Sequence, residues 1–149
     1  LILSVIGCVS NKHTKINPIK QNTITIDTPN DKYNIIFKEY LKRNFNIEKS
    51  LKHQIILEAD ISFSSAETLS VSGTSVLKST KAIITYSLID KASKLLIKSG
   101  SISTFPALSS SSNSLYSNEK SIENIKDRLS QSSAKKLYIL TKMILRKLN

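Results

Sequence analysis

From Gln54 to Ser64 apolar and polar residues alternate, with Ile55, Leu57, Ala59, Ile61 and Phe63 on one side and Gln54, Glu58, Asp60, Ser62 and Ser64 mostly opposite. A period of two marks a strand with one face in a core. The same period returns over Val76–Ile89, where Val76, Ala82, Ile84, Tyr86 and Leu88 share a side while Ser79, Lys81, Thr85 and Ser87 fall on the other. Asp90-Lys91-Ala92-Ser93-Lys94 then predicts a turn, with Leu95–Phe105 as the antiparallel return that Pro106 ends. Upstream, Asn22–Asp27 alternates more briefly and is closed by Thr28-Pro29-Asn30. The small residues from Ser65 to Ser75, and the serine run Ser109–Ser114, predict surface loops.

Two stretches change to the helical period. Tyr33, Ile36, Phe37, Tyr40 and Leu41 lie at i, i+3, i+4, i+7 and i+8, one apolar face of about three turns, with Asn30 or Asp31 as the cap. From Ser117 to Leu148 the stripe Ile122, Ile125, Leu129, Ser133, Leu137, Leu140, Ile144, Leu148 advances in threes and fours. Ser117 or Ser121 offers its cap, and Lys142, Arg146 and Lys147 suit the negative C-terminal end of the dipole. The serine-rich middle breaks any coiled-coil seam. The element order is therefore β-α-β-β-β-α, and the expected fold is α+β: a two-layer sandwich, a four-stranded, mostly antiparallel or mixed sheet with two helices on one face.

The first residues stand apart from this scheme. Leu1–Ile6 is too short to cross a bilayer, which takes about 20 apolar residues, and it leads into Val5-Ile6-Gly7-Cys8, similar to a bacterial lipobox. On that reading residues 1–7 are the remnant of a lipoprotein signal peptide, and Cys8, the only cysteine, is the acylated first residue of the mature chain. Residues 8–21 form a polar tether, and 22–149 the single folded domain. The alternative, a small buried thiol, does not account for the polar tether that follows. Val9, rather than aspartate, follows the cysteine, which favours the periplasmic side of the outer membrane. A lone cysteine leaves no disulfide and excludes cysteine-based zinc or CxxC redox chemistry.

Net charge is +11, with 22 Lys and Arg against 11 Asp and Glu, which can serve nucleic acid, anionic lipid or a phosphorylated ligand. Lysine, isoleucine and asparagine are abundant together, so AT-rich coding accounts for part of the charge. Nucleic acid is disfavoured, because the five tyrosines and four phenylalanines form no stacking motif and no zinc or helix-turn-helix pattern is present. No catalytic constellation emerges. His13 falls in the tether and His53 at a strand start, neither with a partner at a telling spacing, and a hydrolase using His53 is the remote alternative. Glu58 and Asp60 share a strand face and are expected to be solvated and matched by lysines on a neighbouring strand. "VSGTS" at 71–75 lacks the lysine and second glycine of a phosphate loop. No metal and no cofactor are expected, and the protein reads as non-catalytic.

The order of elements, the lipobox, the hairpin "AIITYSLIDKASKLLIKSGSISTF" and the helix "SLYSNEKSIENIKDRLSQSSAKKLYILTKMILRKL" together resemble the LptE family of outer-membrane lipopolysaccharide-assembly lipoproteins. The matching positions are Tyr86, Leu88, Ile89 and Asp90, then Gly100, Ser101 and Phe105, then Glu119 and the helix to Leu148. In place of the family's alanine-rich helix middle stands Ser130-Gln131-Ser132-Ser133. Another envelope lipoprotein, acting as a lipid-transport accessory or structural module on the same scaffold, stays open. The resemblance implies a plug inside the LptD β-barrel that helps the barrel assemble and binds lipopolysaccharide. Ser62, Ser64, Ser79, Thr85 and Ser87 would line a second sheet face suited to a polar lumen. Lys78, Lys81 and Lys98 are the candidate lipopolysaccharide ligands, expected to approach one another at one region of the sheet, where phosphates would be their counterions.

Overall fold

The computed structural model describes residues 24–45, 55–69, 76–110 and 115–147. Their order is β1 (Ile24–Asp27), α1 (Lys32–Phe45), β2 (Ile55–Leu69), β3 (Val76–Asp90), β4 (Leu96–Ser103), β5 (Ala107–Ser110) and α2 (Leu115–Arg146). The α+β sandwich stands, with a fifth short strand added. The proposed signal remnant, Cys8, the tether and both histidines lie outside the described residues.

β2 and β3 form the spine, antiparallel from Ile55 opposite Asp90 to Leu69 opposite Val76. β1 adds parallel to the start of β2, Ile24 beside Ile55 and Asp27 beside Glu58. On the far edge of β3, β4 pairs with residues 83–89 and β5 with residues 77–80. Between them Thr104 keeps the edge closed: its hydroxyl accepts the Ala82 N–H at 2.9 Å and its own N–H donates to the Ala82 carbonyl at 3.0 Å. The serine run was expected to be loop, but Ser109 and Ser110 belong to β5 because β3 still offers an unpaired edge there.

The strand β2 also runs five residues beyond the expected end at Ser64. Ser65–Leu69 carries no apolar alternation, and cross-strand polar pairs hold it: Ser65 Oγ lies 3.1 Å from Thr80 Oγ1, and Glu67 pairs with Lys78. The turn after β3 is built by Asp90, whose carboxylate accepts the Ala92 N–H and the Ser93 hydroxyl, and Lys94 takes the left-handed conformation at φ 60°. Those two donors hold the Asp90 carboxyl below its usual range, the Ser93 hydroxyl first.

One side of the sheet meets both helices. Ile55, Leu57, Ala59 and Ile61 from β2 and Ala82, Ile84, Tyr86 and Leu88 from β3 pack with Phe37 and Leu41 of α1 and Leu129, Ala134, Leu137 and Leu145 of α2. Full burial of a side chain such as Leu57 or Leu137 is worth about 1.5–3 kcal/mol. The helices run parallel, since Lys32 pairs with Glu123 at 2.7 Å at one end and Phe45 meets Tyr138 edge-on at 4.8 Å towards the other. Serines and alanine at the contact let α2 come close: Ser130, Ser133 and Ala134 are fully buried. The helix starts before Ser117, so neither Ser117 nor Ser121 caps it. At the sheet edge Gly100 sits beneath the Tyr86 ring, where a Cβ would lie 3.0 Å from the tyrosine oxygen.

Candidate functional site

The other side of the sheet carries no helix, and the strand period decides what it presents. β2 contributes Ile56, Glu58, Asp60, Ser62 and Ser64; β3 contributes Leu77, Ser79, Lys81, Ile83, Thr85, Ser87 and Ile89. Ser99 and Ser101 of β4 lie opposite Ser87 and Thr85. The hydroxyl-lined face expected from the sequence is therefore present, with Ser62, Ser64, Ser79, Thr85 and Ser87 on one side of the sheet. Serine and threonine place their oxygens through the single torsion χ1, so ordering them costs little side-chain entropy.

The face is not uniform. Asp27 lies beside Glu58 in register, and Asp60 follows two residues on, so three carboxylates cross β1 and β2 in a row. With Thr85, Ser87 and Ser99 they line a shallow open groove of about 670 Å³ that Pro29 closes at the end of β1. The expected lysine partners are absent among the described residues: Glu58 faces Ser87 and Asp60 faces Thr85. Lysines of β3 fall at other register positions, so the row keeps its negative charge. Among the described residues no cluster of His, Cys, Asp or Glu could hold a metal ion.

Asp60 is instead tied to α1 through Asn34. The Asn34 amide donates to Asp31 Oδ2 at 2.6 Å and to Asp60 Oδ1 at 2.8 Å, while its carbonyl oxygen accepts the Ile61 N–H at 3.0 Å. β1 ends at Asp27, so the β2 edge beyond it needs a partner for that N–H, and Asn34 supplies one. Asp31 caps the helix, accepting the N–H groups of Tyr33 and Asn34 at 3.1 Å each. The Asn34 side-chain amide, and then the backbone donors, hold the Asp31 carboxyl below its usual range. Asn34 is fully buried and carries the junction between helix and open face. The sequence signal for it is its place at i−3 from Phe37, on the line 34, 37, 41 that forms the buried side of α1.

The three candidate lysines do not converge. Lys78 is on the helix side of the sheet with its ammonium 3.3 Å from Glu67, Lys81 is exposed on the open side, and Lys98 faces Leu88 on the helix side of the edge strand. Residues three apart on a strand point to opposite faces, and the ten residue steps of β3 from Lys78 to Leu88 span about 33 Å. Only Lys81 stands on the hydroxyl-lined face. Cys8 lies outside the described residues.

No protein-family model matches the chain, and no curated protein matches it in sequence. Solved structures do. A candidate lipoprotein from Caulobacter crescentus superposes with a TM-score of 0.68 at 11% identity, over 87% of this chain and 94% of that one. The rare lipoprotein B of Shewanella oneidensis gives 0.62 at 12%, over 86% and 98%. A minor lipoprotein of Acinetobacter baumannii gives 0.55 at 12%, over 81% and 90%. This chain shares their fold.

Proposed function

We propose that this chain is an envelope lipoprotein, acylated at Cys8 and held at the periplasmic side of the outer membrane, that acts without catalysis as an LptE-like partner of an LptD-type β-barrel. The observation that carries the proposal is the helix-free sheet face, with short hydroxyl side chains from three strands, on a fold shared with bacterial lipoproteins. In a barrel lumen lined with polar groups, short hydroxyls exchange water for wall contacts at little cost in side-chain entropy. On this reading the open face is the barrel contact, and the chain assists assembly by giving the closing barrel a rigid template.

Lipopolysaccharide belongs elsewhere on the same face. Its phosphates are repelled by the row Asp27, Glu58, Asp60, which leaves the outer stretch of β2 and β3, where Lys81 is exposed and Lys78 lies on the reverse side, as the place to meet them. Lys98, at the other end of β3, takes no part.

Site-directed photocrosslinking tests the barrel reading. A photoreactive residue at Ser87 or Ser62 should trap the barrel protein in outer-membrane preparations, and one at Lys135 on α2 should trap far less. Recovery of the lipoprotein alone from every position would overturn the barrel role and favour the lipid-transport accessory. Lys81→Glu should weaken lipopolysaccharide capture without unfolding the domain, and unchanged capture would remove Lys81 from the site.

A further inference from the structure

The outward side of α2 carries chemistry that the barrel reading leaves unused. From Arg128 to Lys147 the chain has Arg128, Lys135, Lys136, Lys142, Arg146 and Lys147 and no aspartate or glutamate. At 100° per residue, Ile139 and Met143 fall in the middle of the exposed side, in line with Arg128 and Arg146. Lys135 and Lys142 flank them on one side, Lys136 and Lys147 on the other. Ile139 is 48% exposed and Met143 54% exposed, while Leu137, Thr141 and Leu145 fill the buried side.

Charged groups of the neighbouring elements do not cancel this surface. On α1 the carboxylate of Glu39 is taken by Lys42 at 2.9 Å, and Arg43 lies over the Tyr40 ring. Lys136 reaches back to the Ser103 carbonyl, and Lys142 donates to the Tyr138 hydroxyl at 3.1 Å. Among the described residues, none of Arg128, Lys135, Lys142 and Arg146 pairs with a carboxylate.

We infer that the outer face of α2 between Arg128 and Lys147 docks on an anionic phospholipid bilayer surface, with Ile139 and Met143 entering the headgroup layer and the flanking cations meeting lipid phosphates. Lysines flanking an apolar centre can lay their methylene stems along the interface while their ammonium groups stay among headgroups. The two apolar side chains at the centre of the cationic ring favour a bilayer over a polyanion that would meet the face through its phosphates alone. No described helix is long and apolar enough to cross a membrane, so the contact lies in the plane of the surface. It uses the layer opposite the open sheet face.

The test is co-sedimentation of the full chain carrying Cys8→Ser, so that no acyl group contributes, with vesicles of phosphatidylglycerol and phosphatidylcholine against phosphatidylcholine alone. Binding should be stronger to the anionic vesicles, and that excess should fall steeply between about 0.05 and about 0.5 M salt. Each cation near an anionic surface is worth about fivefold. Lys135→Glu with Lys142→Glu should therefore lower the anionic-vesicle affinity by about tenfold or more, and Ile139→Ser with Met143→Ser should also weaken it. Unchanged thermal melting establishes that the variants fold; should the glutamate pair melt early, Lys135→Gln with Lys142→Gln takes its place, with a smaller loss. Excess binding unchanged in both pairs would overturn the inference. So would loss in the charge variants with full binding in Ile139→Ser/Met143→Ser, which would mark a site for a soluble polyanion.

Discussion

The open face of the sheet and the outer face of α2 are both solvated, yet they are built from opposite materials. The sheet face presents hydroxyls and a row of carboxylates on short side chains of paired strands. The helix face presents long cations around two apolar side chains. A net charge of +11 gives no hint of this division. Folding collects the acids Asp27, Glu58 and Asp60 on one side, while the acid-free run after Asp127 is wound onto the other, so one chain offers a rigid polar template and a pliable cationic surface.

Three substitutions probe how far the two faces depend on each other. Leu137 is fully buried in the layer between them, and Leu137→Ala should cost about 2–5 kcal/mol. Urea unfolding followed both at a tyrosine near the helices and by far-ultraviolet dichroism should show one transition at lower denaturant; two separated transitions would mean that the faces are independent modules. Asn34→Ala comes next. It strips the Ile61 N–H of its acceptor and frees Asp60, at about 1–3 kcal/mol. Hydrogen exchange should quicken at Ile61 and the first turn of α1 before it does in α2, and uniform acceleration would contradict the local role given to Asn34.

The smallest effect belongs to Asp31→Asn. Asparagine keeps the backbone cap but turns an amide donor toward the Asn34 amide that Asp31 Oδ2 had accepted, so stability at neutral pH should fall by about 1 kcal/mol. The folded carboxyl of Asp31 is held below its unfolded value, so its contribution is full above the unfolded pKa, about 3.9, and is lost as pH falls through the folded one. Glu123, lowered first by the Lys32 ammonium and then by Lys120, and Glu39, lowered by Lys42, act in the same direction. The variant should therefore lose less stability than the parent on acidification. An identical acid profile would remove Asp31 from the pH response.

The covered half of the molecule was legible in the sequence because apolar side chains report their own burial. Ile55, Leu57, Ala59 and Ile61 on β2, and Ala82, Ile84, Tyr86 and Leu88 on β3, gave the sheet face that meets the helices, and Phe37 and Leu41 the answering helix side. Residues held by polar pairs report nothing of the kind. Ser65–Leu69 and Ala107–Ser110 are strands because β3 offers them an edge, which no local pattern records. On α2 the buried line runs through Ser130, Ser133, Ala134, Leu137, Thr141 and Leu145. Small and hydroxyl side chains there shift it from the stripe drawn through leucine and isoleucine. The hydroxyl-lined face could be read from alternation alone, but the grouping of Lys78, Lys81 and Lys98 could not survive it. Proximity in sequence is not proximity in space here, because the strand period puts Lys78 and Lys81 on opposite faces. Asn34 is not legible in the sequence because a polar residue on an apolar helix side is informative only once the unpaired strand edge facing it is known.

The length of the β2–β3 pair has a mechanical consequence. Fifteen residues per strand extend about 50 Å, and the helices pack along it from Leu57 and Leu88 through Ile84 to Phe63 and Ala82. The far end is therefore a lever arm with its α1 fulcrum near Phe63, and α2 supports it further through β5, where Thr80 is buried and Ala107 packs against the core. A sideways load on the tip must either increase the twist of the pair at that point or turn against α1, and Asn34, bridging strand and helix beside the fulcrum, is the pin that resists the turn.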